Sequence, residues 1–298
     1  MPDKKLARRF LVKPHTKVRL RDWDTAWAGT APLRNLKGDE LEQEARETIH
    51  RNLQELSRVQ ELLFASDRYA LLIVLQGMDA SGKDGLVKHV MSGLNPQGCQ
   101  VKSFKRPSDE ELEHDFLWRY ATALPLRGRI GIFNRSHYED VLVVRVHPEW
   151  LDKQKLPAKR GYSLWEHRFE DINQFERHLS RNGTVILKFF LHLSKKEQKR
   201  RLLERLEDPA KHWKFSASDL AERAFWSEYV QAYEDVLSAT STKHAPWFII
   251  PADHKWVARV LVSEILTRTI EGLNLKFPKL TEEQRIALAK AKKLLATG

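Results

Sequence analysis

The sequence predicts an α/β fold, a three-layer α/β/α sandwich built on a parallel sheet of five strands. Strands that are buried on both faces of a sheet read as short, continuous apolar runs bounded by turn residues. Five such runs occur in the chain: 70–77, 99–104, 129–133, 184–193 and 247–252. Segments with helical periodicity separate them, and this alternation favours a parallel sheet covered by helices on both faces.

The segments that flank and separate these strands have apolar residues three and four positions apart, which is the spacing of an amphipathic helix. The longest, 38–66, precedes the first strand, and a shorter helical pattern follows Gly82. In 108–124, Ser108 stands three residues before Glu111, which is the signature of a capping box. The remaining helices are predicted over 163–182, 194–209, 217–240 and 254–273.

The chain of 298 residues is long enough to bury a substantial core, and it shows no repeat or flexible linker. We expect a basic, irregular arm over 1–37, followed by one domain over 38–298. No apolar run reaches the roughly 18 to 20 residues that span a bilayer, and the N-terminal residues lack the apolar core of a secretory signal. A single cysteine, Cys99, excludes an internal disulfide framework and a multi-cysteine zinc site. The sequence therefore predicts a cytoplasmic protein without a membrane partner.

The chain carries a formal net charge of +11 at pH 7. Such an excess of cations favours a polyanionic partner, such as a nucleic acid, an anionic membrane surface or a phosphate-rich substrate. A basic surface that only increases solubility is the alternative, and net charge alone does not decide between them. Motifs of nucleic-acid-binding domains, such as CxxC fingers or RNP aromatics, are absent, so no nucleic-acid partner is predicted.

The segment GMDASGKD (77–84) has the spacing of a phosphate-binding loop. Gly77 and Gly82 allow the backbone to curl so that its N–H groups point at phosphate oxygens, and the helix that follows adds the positive end of its dipole. Lys83 supplies a mobile charge for the terminal phosphates. A buried strand before the loop and a helix after it are the context that the motif requires. The alternative is a glycine-rich turn without a ligand.

An aspartate follows the lysine, where phosphate loops normally carry the Ser or Thr that holds Mg²⁺. Asp79 and Asp84 therefore place two carboxylates in the loop, and either could bind the metal or orient a phosphoryl group. An aspartate at a helix N-terminus more commonly serves as a cap. We expect Asp84 to cap the helix and Asp79 to take part in the chemistry.

A second polar cluster, GIFNRSHYEDV (131–141), follows the third predicted strand. Ligands of open α/β sheets lie at the carboxyl ends of the strands, so we expect this cluster to face the phosphate loop. Asn134 stands where a Walker-type strand usually ends in an acid, and Arg135 can bridge phosphates. Glu139 and Asp140 offer hard oxygen ligands for Mg²⁺. Alternatively, these two acids form the solvated start of a helix.

The third feature is a basic segment, 194–215, that follows the fourth strand. P-loop kinases carry at this place a helical lid that closes over the phosphates. Arg201 and Arg205 lie one helical turn apart on one face, and Lys211 and Lys214 flank an aromatic residue further on. We interpret the segment as a lid. A charged, solvated helix face without a ligand is the alternative.

Together these pieces resemble the polyphosphate kinase 2 family of P-loop phosphotransferases. The resemblance rests on blocks that recur in order between about residues 60 and 275, of which the long FNRSHYEDV string is the most specific. The blocks are GMDASGKDG, GLNPQG, SFKRPS, DFLWR, IFNRSHYEDVLVVRVHPE, LKFFLHLSKKEQ and APWFIIPADHKW.

The resemblance implies a P-loop kinase fold and Mg²⁺-dependent transfer of a phosphoryl group from inorganic polyphosphate to a nucleotide. Asp79 and Asp140 would hold Mg²⁺ and the transferring phosphates, and Lys83 and Arg135 would stabilise charge on the phosphate oxygens. The lid cations would contact phosphates of the chain or of the nucleotide; they are Arg201, Arg205, Lys211 and Lys214.

The resemblance also implies an acceptor. Asn134 stands where family members restricted to nucleoside diphosphates carry an aspartate, so the sequence is similar to the subgroup that accepts AMP, and ADP as well. Glu139 would then help to hold AMP. Guanine nucleotides are further candidate acceptors, and a homo-oligomer is expected.

Two other functions remain open at this point. An ATP-dependent nucleoside-monophosphate kinase would share the fold, although it would normally have Ser or Thr after Lys83 and a less charged lid. A non-catalytic binder of polyphosphate or nucleic acid would use the basic arm and the lid, and it would need no Mg²⁺.

Overall fold

The computed structural model describes residues 4–29, 39–157, 162–214 and 216–297, apart from the side chains of a few residues beside the gaps. Its five strands are parallel and lie in the order β2-β3-β1-β4-β5. The strands are β1 (Ala70–Gly77), β2 (Cys99–Ser103), β3 (Ile130–Asn134), β4 (Thr184–His192) and β5 (Trp247–Pro251). The predicted fold class is confirmed, and each strand ends within about one residue of its predicted bounds.

β1 lies at the centre of the sheet, between β3 and β4, and all eight of its residues are buried. This burial explains why its sequence is continuously apolar rather than alternating. Leu75 pairs with Asn134 at the end of β3, so the parallel register brings the loop after β1 beside the polar residues after β3. Both features therefore open on the same edge of the sheet.

Helices cover both faces of the sheet. In chain order they are α1 (Lys4–Phe10), α2 (Asp39–Ser66), α3 (Lys83–Val90), α4 (Asp109–Leu112), α5 (Trp118–Ala121), α6 (Val143–Val146), α7 (Glu149–Lys153), α8 (Tyr162–Arg181), α9 (Lys195–Glu207), α10 (Ala217–Ala224), α11 (Trp226–Thr240), α12 (Lys255–Gly272) and α13 (Glu282–Thr297). Apolar residues of α2, α3 and α12 share one core cluster with the strands, whereas α8 and α11 join a second cluster on the opposite face. Within the described residues, no helix is both long enough and apolar enough to cross a membrane.

The predicted helix over 108–124 is interrupted. It consists of α4 and α5, because the side chain of Asp115 accepts a hydrogen bond from the backbone N–H of Leu117 (2.9 Å) and competes with the helical bonds. The capping box between Ser108 and Glu111 is confirmed, since each side chain bonds the backbone N–H of the other residue.

The predicted helix over 217–240 also divides, at Phe225. This residue leaves helical geometry with a ψ of 25°, and its ring packs edge-on against His147 with the centroids 4.9 Å apart. Tertiary packing of one aromatic ring therefore overrides a continuous helical pattern. Four helices were not predicted at all: α1, in a segment expected to be irregular, the short α6 and α7 in the segment after β3, and α13 near the C-terminus.

The described part of the predicted N-terminal arm packs on the domain. The backbone N–H of Val12 donates to the carbonyl oxygen of Trp247 (2.9 Å), so the segment lies beside β5. Five apolar side chains of this segment are buried: Phe10, Val12, Val18, Leu20 and Trp27. The boundary at residue 37 falls outside the described residues, and the division into arm and domain stays a prediction.

A charged network lies inside the core. Lys188, in β4, is fully buried, and its ammonium group donates to Oε2 of Glu176 (2.6 Å), the hydroxyl of Tyr138 (2.8 Å) and the carbonyl oxygen of Thr240 (2.7 Å). The hydroxyl of Tyr138 in turn donates to Oε1 of Glu176 (2.8 Å). The network therefore ties the segment after β3 to β4 and α8.

Replacing Lys188 with Met should lower the free energy of unfolding by about 3 to 5 kcal/mol, because Glu176 would be left as an uncompensated buried charge. Urea denaturation measures this change. The double variant Lys188→Met/Glu176→Gln is the matched control and should recover part of the loss. A decrease of less than about 1 kcal/mol in the single variant, the range of an exposed ion pair, would contradict the stabilising role.

Candidate active site

The phosphate-binding loop joins β1 to α3. Gly77 ends β1 with a φ of 152°, and a Cβ there would lie 2.8 Å from Oγ of Ser81 and 2.9 Å from the carbonyl oxygen of Leu191. Only glycine fits such a position. Gly82, the N-cap residue of α3, has a φ of 101°, and Ala80 adopts a left-handed φ of 61°. The loop between strand and helix is therefore tightly curled.

Lys83 is the first residue of α3, and its side chain is buried in the loop. Its ammonium group donates to the carbonyl oxygens of Gly77 (2.7 Å) and Met78 (3.2 Å). Burial, together with the nearby charge of Arg135, lowers the pKa of Lys83 to about 8. The lysine thus occupies the place that the motif requires, with a charge that depends on pH.

Asp84 lies in the first turn of α3, but the prediction that it caps the helix is wrong, because the N-cap residue is Gly82. The carboxylate of Asp84 instead accepts a hydrogen bond from Nδ2 of Asn134 (2.6 Å) at the end of β3. Two buried oxygens, Oδ1 of Asn134 and Oγ of Ser81, have no hydrogen-bond partner in the described part of the chain. Oxygen atoms therefore gather where the loop meets β3.

Arg135 connects the loop to the segment after β3. The residue has a left-handed φ of 63°, and its guanidinium donates to Oδ1 of Asp79 (2.6 Å) and Oε2 of Glu139 (2.9 Å). The carboxylate of Glu139 raises the pKa of Arg135 above its ordinary value. The carboxylate of Asp79 acts in the same direction, whereas burial acts against both. The structure thus brings together three residues that the sequence placed in two separate motifs.

The carboxylate of Asp140 has different partners. Oδ1 accepts a hydrogen bond from Nε2 of Gln154 (2.8 Å), and Oδ2 accepts one from the hydroxyl of Tyr120 (3.3 Å). Burial raises the pKa of this carboxyl group to about 6. Asp140 as a Mg²⁺ ligand stays a prediction, one that requires the carboxylate to leave these partners.

The predicted lid comprises α9 and the short turn after it, and its cations lie in different environments. Arg201 is buried and donates to backbone carbonyl oxygens of the phosphate loop and of the chain after β5. Arg205 donates to Oδ2 of Asp219 (2.9 Å), and Lys211 pairs with two carboxylates of the lid itself. The side chain of Lys214 lies outside the described residues. Phosphate contacts of Arg205, Lys211 and Lys214 stay predictions, whereas one of Arg201 would require its guanidinium to leave these carbonyl oxygens.

Two cavities meet at Asp79 and Arg135. The first, of about 510 Å³, runs along the loop and the lid, and we call it the channel. Besides Arg135, its cations are Lys83, Lys105, Arg201, Arg205, Lys211, Lys255 and Arg259. The second, of about 930 Å³, we call the large cavity. Its walls include the apolar side chains of Phe104, Leu112, Phe116, Val143, Trp150 and Leu156.

The sequence analysis missed several charged residues that line the channel. Lys105 and Lys255 follow the ends of β2 and β5, and the rule that ligands lie at the carboxyl ends of parallel strands could have identified them. Arg259 lies one turn further along α12, on the same side as Lys255. The sequence gives no comparable signal for Asp219, because its position depends on how α10 packs against α9.

The glycine loop after a buried central strand, the buried lysine and the basic lid helix define a P-loop phosphotransferase. A sequence model of the polyphosphate kinase 2 family matches residues 39–278, and the chain belongs to this family.

Individual relatives support the same family. The ADP-polyphosphate phosphotransferase of Rhodopseudomonas palustris is 50% identical over 258 residues, which cover 86% of this chain and 89% of that protein. The AMP/ADP-polyphosphate phosphotransferase of Meiothermus ruber is 44% identical over 276 residues, which cover 91% of this chain and 96% of that protein. The crystal structure of polyphosphate kinase 2 from Arthrobacter aurescens TC1 matches this fold with a TM-score of 0.81 at 38% identity, covering 94% of this chain and 98% of that one.

The pKa of Lys83 leads to a testable pH dependence. Since the pKa of about 8 lies below the ordinary value of 10.5, the lysine is charged below about pH 8 and neutral above it. A phosphate chain binds the charged form, so its affinity should fall about tenfold per pH unit above the pKa. Calorimetric titration with tripolyphosphate at constant ionic strength measures this fall.

The matched control is Lys83→Arg, because arginine stays charged throughout this pH range. Its affinity should change with pH only through the ionisation of the ligand. Parallel curves for the wild type and Lys83→Arg would contradict the lowered pKa of the lysine.

Proposed function

We propose that this protein transfers the terminal phosphoryl group of inorganic polyphosphate to AMP and to ADP, forming ADP and ATP. One observation carries the proposal: a channel lined by twice as many cations as acids and a larger cavity with several apolar side chains in its wall meet at Asp79 and Arg135. Such a junction suits a reaction between a linear polyanion and a ligand with an apolar body. Membership of the polyphosphate kinase 2 family and the names of the relatives support this pair of substrates.

The phosphate chain is proposed to occupy the channel. Lys83 of the phosphate loop and Lys105 after β2 line it together with Arg135, and Lys255 and Arg259 line it on α12. This distribution of cations suits a chain that carries one negative charge per phosphate along its length. Among the described residues, eight cations and four acids line the channel, whereas seven cations and nine acids line the large cavity.

The acceptor nucleotide is proposed to occupy the large cavity. Its volume of about 930 Å³ is suited to a small-molecule ligand, and aromatic side chains such as Phe116 and Trp150 offer apolar surface to a nucleoside. Arg135 and Glu139 line the inner end of this cavity. The phosphate of the nucleotide would therefore point toward the junction, as the predicted role of Glu139 in holding AMP requires.

The transfer itself is an in-line displacement. An oxygen of the acceptor's terminal phosphate attacks the terminal phosphorus of the chain, and the bridging P–O bond breaks with its electron pair leaving on the shortened chain. The attacking oxygen is already anionic, so no general base is needed. Arg135 and Lys83 would stabilise charge on the transferring phosphoryl oxygens, with Asp79 and Glu139 holding the guanidinium in place beforehand.

Mg²⁺ is the proposed cofactor, and the residues at the junction fit a hard cation. Asp79, Asp84, Asn134 and Ser81 all line the channel, and the side-chain oxygens of Asn134 and Ser81 are buried without a hydrogen-bond partner in the described part of the chain. No group of three or more His, Cys, Asp or Glu side chains in the described ranges could hold a metal alone, which suits an ion that takes most ligands from water and phosphates. When bound, Mg²⁺ would neutralise phosphate charge. Asp140 stays the second predicted ligand.

Turnover without ATP tests the proposal. Purified protein with Mg²⁺, polyphosphate and either AMP or ADP should form ADP or ATP respectively, resolved by anion-exchange chromatography. Turnover of ATP plus AMP, with none from polyphosphate, would instead identify an ATP-dependent monophosphate kinase. Binding of polyphosphate without any turnover would identify a non-catalytic binder. A cytoplasmic location, a homo-oligomeric state and activity on guanine nucleotides stay predictions.

Arg135 should be the most sensitive position of the site. Because arginines that contact a transferring phosphoryl group contribute about 10³- to 10⁵-fold in rate, Arg135→Ala should reduce kcat by a factor in this range. Steady-state kinetics with saturating polyphosphate and AMP measures it. Lys196→Ala, at an exposed position of α9, is the control and should retain activity. Comparable losses in the two variants would count against the role of Arg135.

Substitution of a cation that lines the channel but not the large cavity should affect the donor alone. Arg259→Ala should raise the KM for polyphosphate, leave the KM for AMP unchanged, and reduce the slope of log KM against log salt by about 0.7, the figure for one contact with a flexible polyanion. Arg268→Ala, at a position on the same helix outside the channel, is the matched control. A change in the KM for AMP would contradict the separation of the two substrates.

A further inference from the structure

Side chains from the first two turns of α9 form hydrogen bonds with the backbone of the phosphate loop. Arg201 and Gln198 lie one turn apart, and their side chains are only 5% and 3% exposed. Both project from the helix into the loop after β1 and bond its backbone rather than its side chains. This contact was not predicted, because the sequence suggested that Arg201 faces phosphates in the same way as Arg205.

The guanidinium of Arg201 has no donor left for a phosphate. Its two Nη1 hydrogens bond the carbonyl oxygens of Ala80 (3.1 Å) and Ser81 (3.0 Å), and its two Nη2 hydrogens bond those of Ala252 (2.5 Å) and Asp253 (3.1 Å). The remaining N–H, at Nε, bonds a carboxylate of α9 itself at 2.8 Å. Since arginine has five N–H donors, this set uses all of them.

Gln198 supports the same loop from the preceding turn. Its Nε2 donates to the carbonyl oxygen of Asp79 (3.0 Å), while its Oε1 accepts from Nη1 of Arg223 (2.6 Å). Arg223 also donates to the carbonyl oxygen of Lys195 (3.0 Å), so α10 fixes the orientation of the amide. The backbone of the residue that pairs with Arg135 is therefore held from the lid side.

The loop needs such support. Ala80 has a left-handed φ of 61°, a conformation that non-glycine residues keep only where the surroundings hold them in it. The carbonyl groups on both sides of this residue, those of Asp79 and Ala80 itself, accept the bonds from Gln198 and Arg201. The strained residue thus lies at the centre of the contact.

We propose that Gln198 and Arg201 are positioning residues that hold loop 78–82 in its phosphate-binding shape. In this arrangement the beginning of α9 is a fixed brace, and the part of the lid that moves over the phosphates begins after Arg201. Arg205 and Lys211, which line the channel and pair only with carboxylates among the described residues, then make the phosphate contacts. The kinetic part of this inference rests on the proposed function.

Kinetics of Arg201→Lys, measured well below its melting temperature, tests the brace. We expect kcat to fall about 100-fold at saturating substrates, since small displacements of a catalytic loop cost that much, with the KM for polyphosphate and its salt dependence unchanged. The neighbouring exposed substitution Arg200→Lys is the control and should retain the wild-type kcat. A raised KM for polyphosphate with a reduced salt slope and an unchanged kcat would show that Arg201 is a phosphate ligand, and would overturn the proposal. A lower melting temperature without any kinetic change would also overturn it.

Hydrogen exchange of the ligand-free protein gives a readout that does not depend on activity. Amides of 78–82 should exchange faster in Arg201→Lys than in Arg200→Lys or the wild type. Unchanged exchange there would overturn the brace, whereas absence of polyphosphate turnover in the wild type would overturn only the proposed function.

Gln198→Met provides a second test in case Arg201→Lys does not fold. Methionine keeps the volume of the side chain but removes the bond to the carbonyl of Asp79. We expect about a tenfold loss of kcat and faster exchange of 78–82. Wild-type values for both quantities would overturn the proposal.

Discussion

The ion cluster of Asp79, Arg135 and Glu139 is the interaction on which the rest of the site depends. It exists because β1 and β3 are parallel neighbours, so that the loop after one strand and the segment after the other open at the same edge of the sheet. Arg135 holds its left-handed backbone there while its N–H donates to the carbonyl oxygen of Leu75 (3.1 Å). The guanidinium is therefore oriented before any substrate binds. Charges fixed in advance stabilise a developing transition state better than charges that must reorganise.

The charged residues of the lid are not fixed in the same way. Arg205 and Lys211 line the channel but are paired with Asp219 and with acids of the lid, so a polyanion must replace those partners to reach them. Partly exposed ion pairs are weak, and exchange of a carboxylate for a phosphate oxygen costs little. The net charge of +11 therefore does not mean that the surface is uniformly basic, because the lid cations are paired with acids. The site combines a rigid cluster at the junction with exchangeable pairs along the channel.

The sheet and the phosphate loop could be predicted from the sequence because their determinants are local. Buried strands are continuously apolar, and the two loop glycines mark positions where a Cβ does not fit or φ is positive. Residue roles were harder to predict when they depend on tertiary contacts. Arg201 and Arg205 share a helix face, yet one bonds backbone carbonyls and the other a carboxylate. Glu139 and its neighbour Asp140 lie in a 3₁₀ turn, whose successive side chains point about 120° apart, so adjacent acids have different partners.

The position of both substrates is the most direct test of a junction between two cavities. A crystal structure of the protein with AMP, Mg²⁺ and a polyphosphate analogue whose bridging oxygens are replaced by methylene groups would measure it. We expect the nucleoside in the large cavity beside Trp150, the analogue in the channel toward Arg259, and their facing phosphates between Lys83 and Arg135. A nucleoside in the channel, or an analogue bound away from Arg135, would contradict the assignment of the two cavities.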